Sequence, residues 1–214
     1  PYDSDEGRAT AGALTAILTG SAYAASAELS ECLGTFAKFD NNRDSMLKVI
    51  KMHQSAIDDI DSTLCPPALL DAARDSWTRA LAGGEKHGYR NAQVSVLAPT
   101  GTIGFMMDCD TTGIEPDIAL VKYKQLAGGG MFKIINQTVS LALQKLGYDS
   151  NTIDRVLTHI NQHDTIEGAP GLKEEHLPVF DCAFKPANGS RSIHYMGHIR
   201  MMGAAQSFIS GAIS

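Results

Sequence analysis

The sequence predicts an α/β fold with a partly parallel sheet, on two observations. Residues 3–34 are rich in Ala, and apolar residues recur at helical spacing in the first 84 residues, whereas residues 94–98 form a short apolar run that ends at Pro99 and is typical of a buried strand. From there to the end of the chain, strand-like and helix-like segments alternate. With 214 residues, of which 43% are hydrophobic, the chain can form one or two globular domains around a sizeable core.

Composition narrows the classes of function. The formal net charge of −6 argues against a nucleic-acid partner, which would require a basic patch. No apolar run approaches the ~20 residues of a membrane span, and no signal peptide opens the sequence, so we expect no membrane partner. The cysteines lie far apart without a Cys-x-x-Cys pair, which predicts neither a zinc site nor a disulfide framework and favours a reducing, cytoplasmic location. They are Cys32, Cys65, Cys109 and Cys182.

The first 84 residues are predicted to form a helical layer. We expect two Ala-rich helices separated at Gly20, the second of which ends at Gly34. A third helix is predicted to be capped by the polar residues 41–44. A fourth is expected over residues 68–82, opened by two prolines and closed by the two glycines that follow.

A loop of small residues follows the predicted strand, and it is the candidate site. If a helix turn begins at Gly101 or Thr102, free backbone N–H groups and two threonine hydroxyls face one point, which suits a phosphate. The alternative is a plain strand–turn–helix connection without a ligand. No Gly-Lys-Ser/Thr follows, so the loop is not a Walker A motif. The predicted phosphate-binding residues, called the glycine loop below, are Pro99, Thr100, Gly101, Thr102, Ile103 and Gly104.

Residues 85–214 are predicted to form the strand-and-helix part of the same incomplete domain. The elements expected after the glycine loop are a strand over 119–126 with Lys122 and Lys124 pointing outward, helices over 131–146, 150–163 and 197–208, and an extended excursion over 164–195. Residues 211–214 begin to resemble another strand, and Pro1 has no preceding Met. Both ends therefore look like cuts through a longer polypeptide, whether an excised piece, a processing product or the product of a fragmented gene.

Other residues that could carry chemistry fit less well. Residues 108–119 resemble a calcium loop, but Thr112 and Ala119 stand where acidic ligands are required. His159 and His163 share a helix face, but the Glu that a zincin places after the first His is absent. We therefore predict no metal site and solvated histidines. Cys109 is the thiol nearest to the glycine loop, and a buried structural role is expected for it.

Long stretches of the sequence resemble the adenosylcobalamin-dependent, class II ribonucleotide reductases. The resemblance includes the Pro-Thr-Gly-Thr-Ile-Gly loop, the Thr-Thr-Gly-Ile-Glu-Pro-Asp segment that follows it and the Pro-Tyr-Asp-Ser-Asp-Glu-Gly-Arg start. It spans essentially the whole chain. The segments that carry it are residues 1–9, 97–117, 119–130, 196–202 and 206–214.

The resemblance implies a fold, an activity and partners. Members of this family are ten-stranded α/β barrels that convert ribonucleotides to deoxyribonucleotides by thiyl-radical chemistry, with adenosylcobalamin as cofactor and a dithiol reductant such as thioredoxin. By similarity, residues 100–104 bind the diphosphate of the substrate. The family's radical cysteine lies in an Asn-x-Cys-x-Glu loop, which does not occur in this sequence. The resemblance therefore implies that the chain is the middle-to-late part of the barrel, without a catalytic residue and inactive in isolation.

Two other interpretations stay open at this point. The chain could be a free-standing nucleotide- or phosphate-binding α/β domain, which would bind nucleoside diphosphates by itself. It could also be a non-catalytic segment that completes a barrel, which would bind nothing by itself and expose a large apolar face. Whether the substrate is a di- or a triphosphate, the effector rules, the oligomeric state and the role of Cys109 stay open as well.

Overall fold

A computed structural model of the chain describes residues 1–107, 109–125 and 128–214. Contacts divide the chain into two units. The first, called the helical unit, comprises Ser4–Ala98 and Ile199–Ser214. The second, called the hairpin unit, comprises Pro1–Asp3 and Pro99–His198. Whether residues 1–84 and 85–214 are two parts of one domain stays a prediction.

Three long helices build the helical unit: α1 (Asp5–Leu33), α2 (Phe39–Ser55) and α3 (Pro67–His87). A 3₁₀ turn, Ala56–Asp59, follows α2. The Ser4 hydroxyl caps α1 by accepting from the Gly7 amide at 2.9 Å, as expected for an N-terminal serine. The core of the unit consists of small residues of α1 and larger side chains around them. Its largest fully buried side chains are Tyr23, Phe39, Ile50, Ile57, Trp77, Tyr89 and Phe208.

Two of the predicted helix breaks are wrong, and both concern glycines that lie at close contacts. The helix α1 is continuous through Gly20, where an added Cβ would lie 3.0 Å from Trp77 Cδ1. Similarly, α3 continues through the glycines at 83 and 84 and ends at Gly88, which has a φ of 71°. In both places glycine permits close packing within the helical unit and does not end the helix. The predicted end of α1 at Gly34 is confirmed, with a φ of 76°.

The sheet of the hairpin unit is one antiparallel hairpin among the described residues. Strand β1 (Val121–Gln125) pairs with β2 (Met131–Ile135) in a register that places Tyr123 opposite Lys133. The prediction of a helix from residue 131 is therefore wrong in its first turns. The reason is the positive φ of Gly129 and Gly130, 84° and 98°, which lets the chain reverse and gives Met131–Ile135 a partner strand.

Four further α-helices are described, one before the hairpin and three after it. The one before the hairpin begins within the glycine loop. In chain order these helices are α4 (Gly101–Met106), α5 (Thr138–Lys145), α6 (Ser150–His163) and α7 (Tyr195–Gln206), with a 3₁₀ helix at Glu174–Phe180. The bounds predicted for α6 are confirmed. None of the described helices is long and apolar enough to cross a membrane.

The strand predicted before the glycine loop is reduced to one bridge. Leu97 pairs in parallel with Ile213, with N–O distances of 3.0 Å from the Leu97 amide to Ala212 and 2.8 Å from the Ser214 amide to Leu97. The parallel direction agrees with the predicted class, but the bridge at Leu97 is accompanied, among the described residues, by only one further backbone hydrogen bond of this segment, from the Gly211 amide to the Ser95 carbonyl at 3.0 Å. Within the described residues the one sheet has two strands and does not close into a barrel.

Candidate functional site

The glycine loop enters α4 through a single left-handed residue. Thr100 has a φ of 49°, and α4 begins at Gly101 as predicted. The Gly104 amide donates to the Thr100 carbonyl at 2.8 Å and so closes the first helical turn. None of the described residues accepts a hydrogen bond from the amides of Gly101, Thr102 or Ile103. These three N–H groups are the ones that the start of a helix leaves without an internal acceptor.

The two glycines of the loop have different surroundings. A Cβ added at Gly101 would meet no atom within 4 Å, and Gly101 lies outside the left-handed region. A Cβ at Gly104 would lie 2.8 Å from Thr112 Cγ2, so Gly104 packs closely against the following segment. Pro99, Thr100 and the side chain of Ile103 are exposed. The prediction that glycine leaves room for a ligand therefore rests on Gly101 alone.

Such a turn can hold an anion. Three amides with no acceptor among the described residues stand beside the exposed hydroxyls of Thr100 and Thr102. A phosphate oxygen accepts hydrogen bonds from both kinds of donor, and the positive end of the helix dipole favours its charge. Because α4 has six residues, its dipole is small and the directed amides matter more.

Residues 109–112, called the bridging segment, contact α4 at Gly104. The Cys109 amide donates to the Gly104 carbonyl at 3.0 Å, and Thr112 packs against Gly104. The Lys122 ammonium donates to the Asp110 carbonyl at 2.7 Å and pairs with the Asp117 carboxylate at 2.6 Å. The outward orientation predicted for Lys122 is wrong, since its side chain is 24% exposed.

Sequence reasoning missed this ion pair. Its one signal is a pair of opposite charges, Asp117 and Lys122, on either side of the start of β1. Charges spaced five residues apart across a loop are common, and nothing in their spacing shows that both side chains turn inward. The pairing depends on the loop path, which a local pattern does not determine.

The two histidines of α6 contact each other and two backbone carbonyl groups. The His159 and His163 rings stack with centroids 4.2 Å apart. The His159 Nε2 lies 3.0 Å from the Glu167 carbonyl, and the His163 Nδ1 lies 3.0 Å from the His159 carbonyl. Through residues 1–107, 109–125 and 128–214, no group of three or more His, Cys, Asp or Glu side chains is placed to hold a metal ion.

The four thiols divide into two exposed and two buried ones. Cys32 and Cys109 are exposed, whereas Cys65 and Cys182 are buried. The expectation that Cys109 is a buried structural thiol is therefore wrong, because the turn after α4 leaves it at the surface. Burial, together with the nearby charge of Asp117, raises the pKa of the Cys182 thiol to about 12.

These surroundings predict selective alkylation. With the folded chain at pH 8, iodoacetamide is expected to modify the exposed Cys32 and Cys109 and to leave Cys65 and Cys182 as thiols, because burial shields these two and raises the pKa of both. Peptide mass spectrometry measures the extent of reaction at each site. Unfolding the chain in urea is the control, since all four thiols should then react. Modification of Cys182 in the folded chain as fast as that of Cys32 would contradict the prediction.

Comparison with known proteins identifies the family of this chain. A family model described as the barrel domain of ribonucleotide reductase matches residues 1–214. A vitamin B12-dependent ribonucleotide reductase of Rhodopirellula baltica is 63% identical over 214 residues, which are all of this chain and 20% of the relative. Proteins of the same name from Streptantibioticus cattleyicolor and Agrobacterium fabrum are 50% and 41% identical, over all of this chain and over 35% and 25% of their own lengths. The chain thus spans between a fifth and about a third of these relatives.

Proposed function

Since the chain belongs to the family of ribonucleotide reductase barrel domains, we propose that it forms the part of a vitamin B12-dependent reductase that holds the phosphates of the ribonucleotide. The observation that carries the proposal is the start of α4. Three successive amides, at residues 101–103, have no acceptor among the described residues and stand next to threonine hydroxyls. Thr100 adopts a left-handed conformation, which is costly for a non-glycine residue and is found more often at functional sites than elsewhere.

The role of this loop in the reaction is binding and orientation. Hydrogen bonds from α4 to the phosphate fix one end of the nucleotide, so that the ribose is presented in one orientation to the group that attacks it. In the complete enzyme, a cysteine supplied by another part of the polypeptide abstracts a ribose hydrogen as a thiyl radical. A dithiol protein such as thioredoxin restores the reduced thiols, and the product is a deoxyribonucleotide. The proposal covers di- and triphosphate substrates alike.

The cofactor is assigned to the complete reductase. Adenosylcobalamin, when bound, supplies the radical that the cysteine carries. The sequence carries no motif that identifies residues holding this cofactor, so we leave its binding residues unassigned.

A Gly101→Val substitution in the complete reductase tests the proposal. The branched side chain would occupy the space in front of the free amides, so we expect the Kd of the ribonucleotide to rise at least tenfold, about 1.4 kcal/mol. Stability should change little, because the added Cβ meets no atom within 4 Å and the backbone at Gly101 does not need a positive φ. Isothermal titration calorimetry measures the affinity, and a thermal melt measures the stability.

Gly203→Val is the matched control. Gly203 lies in α7, and a Cβ there also meets no atom within 4 Å. It is expected to leave the affinity for the ribonucleotide unchanged. Equal affinities for the Gly101 variant and the parent enzyme would show that the loop does not bind phosphate.

A second function, completion of the barrel, is favoured by the outer face of α1. Four leucines spaced 4, 11 and 4 residues apart lie on one face of this helix. Each is at least half exposed, which is unusual for so regular an apolar row. We propose that the remaining polypeptide of the reductase covers them. They are Leu14, Leu18, Leu29 and Leu33.

A further inference from the structure

The ion pair between Lys122 and Asp117 holds the bridging segment, which contacts α4. Lys122 lies on a paired strand, and its ammonium group contacts both the Asp110 carbonyl and the Asp117 carboxylate. Asp110 lies inside the bridging segment, between Cys109, which donates to α4, and Thr112, which packs against Gly104. Lys122 therefore binds the bridging segment at Asp110, between the two residues through which that segment contacts α4.

The carboxylate partner is itself fixed on other elements. The second oxygen of Asp117 accepts from the Asn136 side-chain amide at 2.5 Å, and its carbonyl accepts from the Ala183 amide at 2.7 Å. The side-chain oxygen Oδ1 of Asn136 in turn accepts from the amide and the hydroxyl of Thr138, at 2.8 and 2.6 Å, at the start of α5. The side chain of Asp117 is 10% exposed, so this anchor is well shielded from water. Because the ion pair is shielded from water and its two residues make three further hydrogen bonds, it holds the joined segments in one geometry. We expect it not to adjust when one of these segments moves.

We propose that Lys122 is a positioning residue for the phosphate-binding turn, acting through the bridging segment on the direction of the amides at the start of α4. This inference rests on the proposed function of the glycine loop. Lys122 is not in the loop and needs no contact with the substrate. Its effect is to fix the six-residue helix α4 at Gly104, because a small tilt of so short an element moves its N-terminal amides off a bound oxygen.

The test uses a double substitution in the complete reductase, Lys122→Met with Asp117→Asn. Changing both residues avoids leaving a buried charge without a partner, and asparagine keeps an oxygen for Asn136. We expect the Kd of a ribonucleoside diphosphate to rise about tenfold. Binding of cobalamin should stay within twofold of that of the parent enzyme.

The matched control is Lys133→Met with Asp164→Asn. This pair also joins the hairpin to another segment at 2.6 Å, and its lysine side chain is likewise 24% exposed, but neither residue contacts the bridging segment. It is expected to leave nucleotide affinity within twofold. Equal losses in the two double variants, or parent-like affinity in the first, would overturn the proposal.

A milder variant covers the case in which the first double variant does not fold. Thr112→Ala removes the methyl group that packs against Gly104 and leaves the ion pair in place. It is expected to raise the Kd of the diphosphate about threefold, and an unchanged Kd would overturn the proposal. If Gly101→Val leaves the affinity unchanged, the proposed function fails. If Gly101→Val weakens binding and the Lys122 and Thr112 variants do not, the positioning role alone fails.

Discussion

Replacing Gly84 by alanine is expected to lower the free energy of unfolding by about 3–5 kcal/mol, the cost of overpacking a core together with a lost buried hydrogen bond. An added Cβ would overlap the Tyr89 hydroxyl and lie 2.5 Å from Tyr89 Cε2. The Tyr89 ring is fully buried and packs edge-on against Tyr23 and Phe39, with ring centroids 5.3 and 6.2 Å away. Its hydroxyl donates to the Ala80 carbonyl at 2.8 Å, so moving the ring breaks that bond.

Urea unfolding followed by circular dichroism measures this effect. Gly203→Ala is the control, since it makes the same change inside α7, where the new Cβ meets no atom within 4 Å. It is expected to stabilise the chain by about 0.5–1 kcal/mol, because alanine has the higher helix propensity. A loss below about 1 kcal/mol for the Gly84 variant would mean that the Tyr89 ring repacks freely, contrary to the rigidity of close-packed cores.

Gly84 also shows what the sequence could and could not predict about the fold. The start of α4, the whole of α6 and the end of α1 at Gly34 follow from local signals, namely caps, glycines in left-handed conformations and apolar spacing. The predicted breaks at residues 20 and 83 fail because a glycine that ends a helix and a glycine at a close contact look the same in a sequence. The difference is the identity of the neighbour, which only the fold determines.

The hairpin was missed for a related reason. Residues 131–135 are apolar enough to suit either a helix or a strand, and the hydrogen-bonding partner decides between them. Conversely, the run at residues 94–98 has strand character, but within the described residues it forms a β-bridge only at Leu97. Propensity indicates what a segment tolerates, and pairing determines what it forms.

For the candidate site, the sequence indicated the loop that carries the candidate hydrogen-bond donors. It did not indicate the residues that hold this loop in place. Residues 99–104 stand out because glycine and hydroxyl residues after an apolar run form a local pattern. Lys122 and Asp117 lie in an ordinary charged stretch, and their importance arises from contacts with Asp110 and Asn136. The exposure of Cys109 was likewise beyond a local pattern, since a free cysteine is by default expected inside.

The 214-residue chain by itself is expected to make no deoxyribonucleotide. The proposed reaction requires a thiyl radical next to the sugar and two further thiols that supply electrons. From the resemblance we expect the radical on an Asn-x-Cys-x-Glu loop, which this sequence lacks. Its four cysteines are all free thiols. Cys65 and Cys182 are buried in different units, and Cys32 lies at the end of α1.

Cys109 is the thiol that could contradict this expectation, because it is exposed and lies one turn beyond α4. The assay measures deoxyribonucleotide formation from a ribonucleotide with adenosylcobalamin and a dithiol reductant, using the chain alone. The complete reductase is the positive control, and the same mixture without the cofactor sets the background. Turnover above that background, abolished by Cys109→Ser, would mean that this chain carries the radical itself. Activity that appears only after the rest of the polypeptide is added would support a segment that holds the substrate while another part of the barrel reacts with it.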